Sequence, residues 1–244
     1  MLSESTEIVD EYWASDFGCE RVHLRPRAPR LQQHSGRLSA YSGAFILVVD
    51  AAPLVSIPSA LLSAVTPRAT QFVAEAIQDA DALRRLLVPG TVTKIIGPAL
   101  LNYADRSCVA LSGTENTREL GPQDDAAFQA LRAACPPEEW EPKDFSPGSQ
   151  PTFGAFATDG ALVAISDMEV WADRIAHISV VTNPAFRGRG FGTRAVAAAI
   201  DRALDSGLLP QYRVLEDNVS SRSVARKLGF QSYGWTLAAR LAQT

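Results

Sequence analysis

The residues best suited to chemistry lie in one glycine-rich segment, residues 187–192, with the sequence Arg-Gly-Arg-Gly-Phe-Gly. A run of apolar, largely β-branched residues precedes this segment, and apolar residues at helical spacing follow it. The first turn of a helix presents backbone N–H groups that lack intrahelical partners, at the positive end of the helix dipole. Three glycines let the main chain direct such groups toward one point. The segment therefore predicts a binding site for a pyrophosphate, to which Arg187 and Arg189 add positive charge.

The residue types and the glycine spacing of this segment exclude two common nucleotide-binding motifs. A Walker P-loop ends in Gly-Lys-Ser/Thr, and this segment contains no lysine. A dinucleotide fingerprint needs Gly-x-Gly-x-x-Gly, whereas Gly188, Gly190 and Gly192 alternate with single residues. The segment thus predicts a phosphate-binding loop of another kind.

The elements that must position this loop are a strand at residues 175–182 and a helix at residues 193–205. An Asp-Gly pair at residues 159–160 predicts a hairpin, and Gly97-Pro98 is expected to separate two strands. Residues 12–38 show no clear period. Further strands are predicted at residues 44–49, 92–96, 99–111, 153–156, 162–165, 212–215 and 235–241, and further helices at residues 59–65, 70–87, 126–134 and 219–228. This order predicts an α/β protein, with a mixed α+β sheet that carries helices on its faces.

A polar, turn-rich stretch at residues 113–117 divides the pattern and is a candidate linker. We therefore predict two domains, residues 1–111 and residues 112–244. The first is a smaller α/β domain of unknown role, whose strand–helix–helix–strand order is compatible with a diverged partial copy of the second. A role of the first domain in interaction or dimerisation stays open.

Residues 112–244 resemble the GNAT superfamily of acyltransferases through two motifs in matching order and distance. Arg187-x-x-Gly190-x-Gly192 is similar to the Arg/Gln-x-x-Gly-x-Gly/Ala signature of that family. The second motif is Asn-x-x-Ser-x-x-Val-Ala-x-Lys-Leu-Gly-Phe at residues 218–230. Residues 118–124 also look like the opening strand and the start of the first helix of the family fold. The resemblance implies a GNAT-like acetyltransferase fold for this part of the chain.

The resemblance also implies that acetyl-CoA, or another acyl-CoA, is the cofactor. Its pyrophosphate is expected on the loop amides of residues 187–193, and its pantetheine arm is expected to pair like an extra strand with residues 180–182. Asn218 and Ser221 are expected to contact the pantetheine arm and the thiol end, and Asn218 also suits a helix N-cap. The complete set implied to bind the cofactor is Val180, Val181, Thr182, Arg187, Gly188, Arg189, Gly190, Phe191, Gly192, Thr193, Asn218 and Ser221.

The reaction implied by the resemblance is N-acetyl transfer to a primary amine of a small molecule or of a protein N-terminus. Such a reaction uses a base that accepts a proton from the amine, directly or through water. The candidates are Glu169, Asp167 and His177. Of these, we predict Glu169 or His177 as the catalytic base. His177 lies on the strand that leads to the loop, and imidazole titrates near neutral pH.

The reaction also needs an acid for the leaving thiolate. Many family members have a tyrosine for this purpose where this chain has Ala225. The predicted acid is therefore Ser221, with Tyr233 behind it. Ala225 also supports an alternative hypothesis, in which the chain is a non-catalytic module that binds or senses acyl-CoA.

The composition of the chain limits the kinds of partner that the sequence predicts. The net charge is −4, which disfavours a nucleic-acid partner because phosphate contacts need a basic surface, and it gives no reason to expect a membrane partner. Three scattered cysteines predict neither a disulfide framework nor a metal site. The first ten residues contain no apolar run, and no segment approaches transmembrane length. We therefore predict a cytoplasmic location.

The acceptor side of the site is predicted from acidic loops. Loops expected at about residues 136–152 and 166–175 contain several carboxylates, which would suit a cationic amine. The predicted partner is accordingly a small-molecule amine or a peptide substrate, and a homodimer stays open.

Overall fold

The computed structural model describes residues 1–68, 83–84, 87, 92–110, 113, 115–140 and 150–242. These residues form an α/β fold that gathers into two compact units. Unit 1 comprises Met1–Leu2, Asn102–Arg213 and Asn218–Gln231, and unit 2 comprises Ser3–Leu101, Val214–Asp217 and Ser232–Thr244. The boundary predicted between residues 111 and 112 lies within the main segment of unit 1. The division into domains 1–111 and 112–244 stays a prediction.

The described residues form both α-helices and β-strands. The helices are α1 (Ser3–Phe17), α2 (Ser59–Val65), α3 (Asp125–Ala134), α4 (Phe191–Asp205) and α5 (Val219–Lys227). The strands are β1 (Arg30–Gln33), β2 (Gly43–Val48), β3 (Pro53–Ile57), β4 (Val92–Tyr103), β5 (Thr117–Glu119), β6 (Thr152–Phe156), β7 (Leu162–Trp171), β8 (Ile175–Thr182), β9 (Leu209–Leu215) and β10 (Gln231–Leu241).

Most predicted elements of the described residues are confirmed. The confirmed strands are those predicted at 44–49, 153–156, 162–165, 175–182, 212–215 and 235–241, and the confirmed helices are those predicted at 59–65, 126–134, 193–205 and 219–228. The helix predicted at residues 70–87 falls outside the described residues, apart from residues 83–84 and 87. The same holds for most of the loop predicted at residues 136–152.

In unit 2, β2 pairs antiparallel with both β3 and β10, and β1 pairs parallel with β3. Helix α1 covers one face of β2, where Trp13 and Phe17 contact the Phe45 ring at centroid distances of 6.2 and 5.9 Å. The opposite face carries Ile46, which is buried in an apolar core with Leu237. Helix α1 lies largely in a region for which no element was predicted. Its buried side chains Val9, Trp13 and Phe17 recur every four residues, which is helical spacing. The polar residues between them make this period inconspicuous in the sequence.

The prediction that Gly97-Pro98 ends a strand is wrong. Strand β4 runs through both residues, from Val92 to Tyr103. The Pro98 carbonyl accepts a hydrogen bond of 2.9 Å from the Glu216 backbone N–H, so proline still contributes its acceptor. Gly97 has φ +111°, and a Cβ there would lie 2.6 Å from the Thr236 carbonyl oxygen. Glycine therefore permits a close approach that the neighbouring strand requires.

In unit 1, the strand order is β9-β8-β7-β6-β5, and helices cover both faces. On one face, Phe128 and Leu131 of α3 pack in a core with Ile165 and Val181. Burying each of these large side chains contributes about 1.5–3 kcal/mol. On the other face, α4 packs small residues against β7 and β8, as the contact of Ala203 with Met168 and Ala176 shows. The start and end of α4 are thereby fixed against the sheet.

The pairing of β8 with β9 sets up an opening in unit 1. These parallel strands pair only from Ile175 opposite Leu209 to His177 opposite Gln211. Strand β8 continues to Thr182 in register with β7, and within unit 1 β9 continues to Arg213. The two parallel strands therefore separate after His177. The edge of β8 at residues 178–182 that would otherwise pair with β9 therefore has backbone groups directed into the gap.

The loop predicted at residues 166–175 is also wrong in its first half. Residues 166–171 belong to β7, which pairs with β8 as far as Trp171 opposite Ile175. The polar residues in this stretch suggested a loop. They occupy a paired strand because Asp167 finds hydrogen-bond partners on neighbouring elements, as described below.

Candidate active site

The glycine-rich loop begins directly after β8. The Asn183 side chain accepts a hydrogen bond of 3.0 Å from the Ala185 N–H and caps a short 3-10 turn at Pro184–Phe186. Gly190 is the N-cap of α4, with φ +83°, and its carbonyl accepts the first helical hydrogen bond from Arg194 at 3.0 Å. The N–H groups of residues 191–193 precede that bond and lie at the positive end of the helix. The loop therefore presents them to one region of space, as the sequence predicts.

Gly192 is needed because α4 starts in contact with the end of β8. A Cβ at this position would lie 2.6 Å from Thr182 Oγ1 and 3.5 Å from Val180 Cγ2. Two residues of the predicted pantetheine-binding segment thus touch the predicted pyrophosphate loop. The structure brings these two parts of the predicted cofactor site together.

The arginines predicted to bind the pyrophosphate are placed differently from each other. The Arg187 guanidinium pairs with both Glu139 carboxylate oxygens at 2.5 and 2.7 Å, and its Nε donates to the Thr182 carbonyl at 3.2 Å. Arg189 is exposed, and its guanidinium lies 5.3 Å from the centre of the Phe186 ring. Arg187 therefore ties the loop to Glu139 and to the end of β8, whereas Arg189 lies against the Phe186 ring.

A third arginine, which the sequence analysis missed, lies closer to the helix start. Arg194 stacks over the Phe191 ring, 4.3 Å from its centre, and a Cβ on Gly190 would lie 3.8 Å from Arg194 Nη1. Its Nε is buried and has no hydrogen-bond partner among the described residues. A buried donor of this kind is costly unless a ligand or water satisfies it. The glycine-lined helix start and the Arg194 donor both fit a phosphate group.

A cluster of polar side chains lies on the opposite face of the sheet, the face that α3 covers. Ser179 Oγ donates a hydrogen bond to Asp167 Oδ1, and Gln150 Nε2 donates to Asp167 Oδ2 at 2.8 Å. Asp167 is only 5% exposed. Because its carboxylate oxygens accept bonds from two neighbours, Asp167 fits a structural role better than that of a base.

His177 lies two residues before Ser179, so both side chains share this face. Its ring stacks on Trp171 with a centroid distance of 4.1 Å and an interplanar angle of 9°. Its Nδ1 lies 2.9 Å from Gln211 Oε1. Glu169 stands opposite His177 in the β7–β8 register and is exposed. The two predicted base candidates are therefore neighbours at the point where β8 and β9 separate.

The second motif also gathers its residues. Asn218 caps α5, because its Oδ1 accepts a hydrogen bond of 2.9 Å from the Ser221 N–H. Tyr212 of β9 is buried, and its hydroxyl has the Ser221 side chain as a polar neighbour, although the two groups fall short of full hydrogen-bond geometry. Burial raises the pKa of Tyr212 to about 12. Tyr212 could not be identified from the sequence, because no spacing rule links it to Ser221.

Two further positions were named from the sequence. Ala225, where many relatives have tyrosine, is 6% exposed within α5. Tyr233 belongs to unit 2, where its hydroxyl donates to Asp10 Oδ1 at 2.7 Å and the Arg25 guanidinium lies 5.6 Å from its ring centre. Tyr233 thus takes part in a network of its own unit.

Two absences hold for the residues that the structure describes. They contain no group of three or more His, Cys, Asp or Glu side chains placed to hold a metal ion. None of their helices combines the length and the apolar character that a bilayer crossing demands.

Comparison with known proteins agrees with this geometry. Residues 122–230 match the model of the acetyltransferase (GNAT) family. A protein described as a GNAT-family acetyltransferase from Novosphingobium aromaticivorans is 26% identical, with a TM-score of 0.52, and the match covers 64% of this chain and 69% of that chain. One from Colwellia psychrerythraea shares the fold at 17% identity and a TM-score of 0.50, over 65% of this chain and 61% of that chain. No curated protein matches this chain in sequence.

The fold and the loop define a class of protein, an α/β domain with a glycine-lined helix start beside two diverging parallel strands, which is a candidate anion site. The match to the acetyltransferase (GNAT) family model over residues 122–230 places a GNAT acetyltransferase domain in this segment of the chain. The resemblance that the two sequence motifs predict is thereby confirmed.

Proposed function

We propose that this protein is an N-acetyltransferase that moves an acetyl or other acyl group from acyl-CoA to a primary amine of a small molecule or of a protein N-terminus. One observation carries the proposal. Strands β8 and β9 separate directly after His177, and the edge of β8 that is released leads to the glycine-lined start of α4. A base candidate and an anion site are thus joined by one open strand edge.

The chain holds acyl-CoA through main-chain groups and cations. The N–H groups at the start of α4 and the Arg194 guanidinium bind the pyrophosphate, since Arg194 Nη1 would lie 3.8 Å from a Cβ on Gly190, the N-cap of α4. The edge of Val180, Val181 and Thr182 pairs with the pantetheine arm, and its N–H groups supply a donor to the carbonyl that is attacked. Acyl-CoA itself supplies the activated thioester.

His177 is the proposed base. It lies at the last paired position of β8, beside the opening, and on the face that carries the exposed Glu169 carboxylate. Glu169 and the Trp171 ring suit a cationic amine, which the carboxylate attracts before His177 accepts its proton. The amine proton moves to a ring nitrogen of His177, and the neutral amine attacks.

Ser221 and Tyr212 are proposed on the side of the leaving sulfur. Tyr212 has a pKa raised to about 12 by burial, so it stays protonated at neutral pH and can donate a hydrogen bond. Ser221 lies next to it at the start of α5. These two hydroxyl groups stabilise the leaving thiolate, a role that the methyl side chain of Ala225 cannot fill.

The buried Ala225 also favours one alternative, a module that binds acyl-CoA without transferring the acyl group. Thiol release measured over a panel of primary amines separates the two. Amine-dependent release supports transfer, and binding without release by any amine supports the alternative.

The central test is calorimetric titration with acetyl-CoA. Gly190→Asp places a carboxylate at the helix start and is expected to weaken binding by about tenfold or more, because it repels the phosphate groups. Gly207→Asp is the matched control, since Gly207 has a similar φ of +72° and open space, at the other end of α4. Wild type and Gly207→Asp are expected to bind equally well. No heat from wild type at about 1 mM acetyl-CoA, the upper end of ordinary KM values, would refute the proposal.

A further inference from the structure

A chain of hydrogen bonds in unit 1 links three side chains on three different strands. His177 Nδ1 lies 2.9 Å from Gln211 Oε1, and Gln211 Nε2 lies 2.5 Å from the Tyr103 hydroxyl oxygen. Gln211 and Tyr103 are both fully buried. His177 is only half-buried, and it occupies the last paired position before β8 and β9 separate. The chain therefore leads from the candidate base into the protein interior.

The side-chain amide of Gln211 is directional. Its oxygen can only accept hydrogen bonds, and its nitrogen can only donate them. With Nε2 donating to the Tyr103 oxygen, Oε1 is the atom that faces His177. The imidazole must then carry its proton on Nδ1 and donate it to Oε1. The other ring nitrogen, Nε2, keeps its lone pair.

Gln211 suits this task better than a carboxylate. A carboxylate beside Nδ1 would stabilise the imidazolium, in which both ring nitrogens already carry a proton, so a smaller fraction of the imidazole would be free to accept the amine proton. A neutral amide selects the same tautomer without adding a negative charge. The Trp171 ring, parallel to His177 at 4.1 Å, restricts rotation of the imidazole out of this hydrogen bond.

We propose that Gln211, oriented by Tyr103, is a positioning residue that holds His177 as the Nδ1–H tautomer with Nε2 as the proton acceptor for the amine. This proposal rests on the proposed function, in which His177 is the base. During transfer, a proton leaves the amine nitrogen for Nε2, while the Nδ1 proton stays hydrogen-bonded to Oε1. No proton has to move along Gln211.

The tautomer can be measured without any substrate, by ¹⁵N NMR of the full-length protein labelled at histidine. The chain has only three histidines, so single substitutions assign the signals. His34 provides an internal reference, because its Nε2 lies 2.8 Å from the Gly43 carbonyl oxygen, which can only accept. His34 is therefore the opposite tautomer, Nε2–H. We expect His177 to show a protonated Nδ1 and an unprotonated Nε2 above its titration range.

Three variants test the cause. Gln211→Leu removes the acceptor, and Tyr103→Phe removes the partner that orients the amide, so both are expected to shift His177 toward Nε2–H. Gln211→Glu keeps an acceptor and is expected to retain Nδ1–H. It should also move the acidic limb of the pH–rate profile to higher pH, since a carboxylate favours imidazolium. The other titratable groups on the strands that pair with β8 are Asp167 and Glu169 on β7 and Tyr212 and Arg213 on β9. Tyr103 on β4 follows beyond Gln211.

Turnover completes the test. Gln211→Leu is expected to lower kcat by about tenfold or more with little change in KM for acetyl-CoA, because general-base catalysis contributes 10²–10⁴-fold. Tyr103→Phe should lower kcat by a smaller factor. This variant replaces Gln211→Leu in the test if Gln211→Leu does not fold. A wild-type His177 with its proton on Nε2, or an unchanged tautomer in both variants, would overturn the proposal. If the tautomer is as expected but His177→Gln keeps full turnover, the proposed base fails and the tautomer assignment stands.

Discussion

At the scale of single residues, the site depends on which donors are already occupied. Arg187 pairs with Glu139 and with the Thr182 carbonyl, so its guanidinium is engaged within the protein. Arg194 is the reverse case, because its buried Nε has no partner among the described residues. The motif pointed to Arg187, since motif spacing identifies positions and not hydrogen-bond partners. The unsatisfied donor of Arg194 becomes visible only when the stacking on Phe191 is known.

Arg194→Gln is therefore expected to weaken acetyl-CoA binding roughly tenfold, because a hydrogen bond to a charged group contributes about 1.5–3 kcal/mol. The loss should shrink at high salt, where the charge is screened. Arg202→Gln on the same helix is the control, since Arg202 is exposed and pairs with Glu119 at 3.2 Å. Calorimetry at low and high ionic strength measures both. Equal affinities of wild type and Arg194→Gln at low salt would exclude Arg194 from the phosphate site.

At the scale of elements, the start of α3 is held by one carboxylate. Asp124 accepts two hydrogen bonds of 2.7 Å from the Arg118 guanidinium and one of 2.9 Å from the Gly121 N–H. Arg118 lies on β5, so Asp124 ties the first strand of unit 1 to its first helix. The resemblance predicted this strand and helix at residues 118–124. The ion pair that joins them could not be predicted, because it depends on the turn at Gly121.

The Arg118 hydrogen bonds lower the pKa of Asp124 from 3.8 to about 2. A lowered pKa means that the folded state favours the carboxylate, so this stabilisation is complete above about pH 4 and is lost as the pH falls toward 2. Asp124→Asn should lower the melting temperature at pH 7 by about 3 °C, for a loss on the order of 1 kcal/mol. It should also flatten the decline between pH 4 and 2. Thermal unfolding followed by circular dichroism measures this, with Asp125→Asn, an exposed neighbour in the same turn, as control.

At the scale of the whole molecule, the last strand joins distant parts of the sequence. Strand β10 pairs with β2 over six residues, from Trp235 opposite Val48 to Arg240 opposite Gly43. Leu237 and Ala239 of β10 are buried in the core of unit 2. Unit 1 in turn includes Asn102 and Tyr103, which precede the predicted domain boundary. The C-terminal strand β10 thus belongs to the unit formed mainly by the N-terminal residues, and Asn102 and Tyr103 belong to the unit formed mainly by the later residues.

A fragment of residues 112–244 is expected to be poorly soluble or to unfold well below the full-length chain. It leaves β10 without β2, which exposes an apolar strand edge, and it removes Tyr103 from Gln211. Soluble yield and thermal unfolding of the fragment and the full chain measure the difference. A soluble fragment with the melting temperature of the full chain would instead support independent domains at residues 1–111 and 112–244.

The features that could be predicted from the residues are those whose parts are close together in the chain. The glycine loop, the cap at Asn218 and the hairpin at residues 159–160 depend on backbone conformations within a few residues, so their sequence patterns are specific. The link from His177 to Gln211 and Tyr103 spans 34 and 108 residues. It exists because a parallel pairing ends at one register position and because β4 brings Tyr103 to β9. Register between distant strands follows from packing of the entire fold, which no local pattern records.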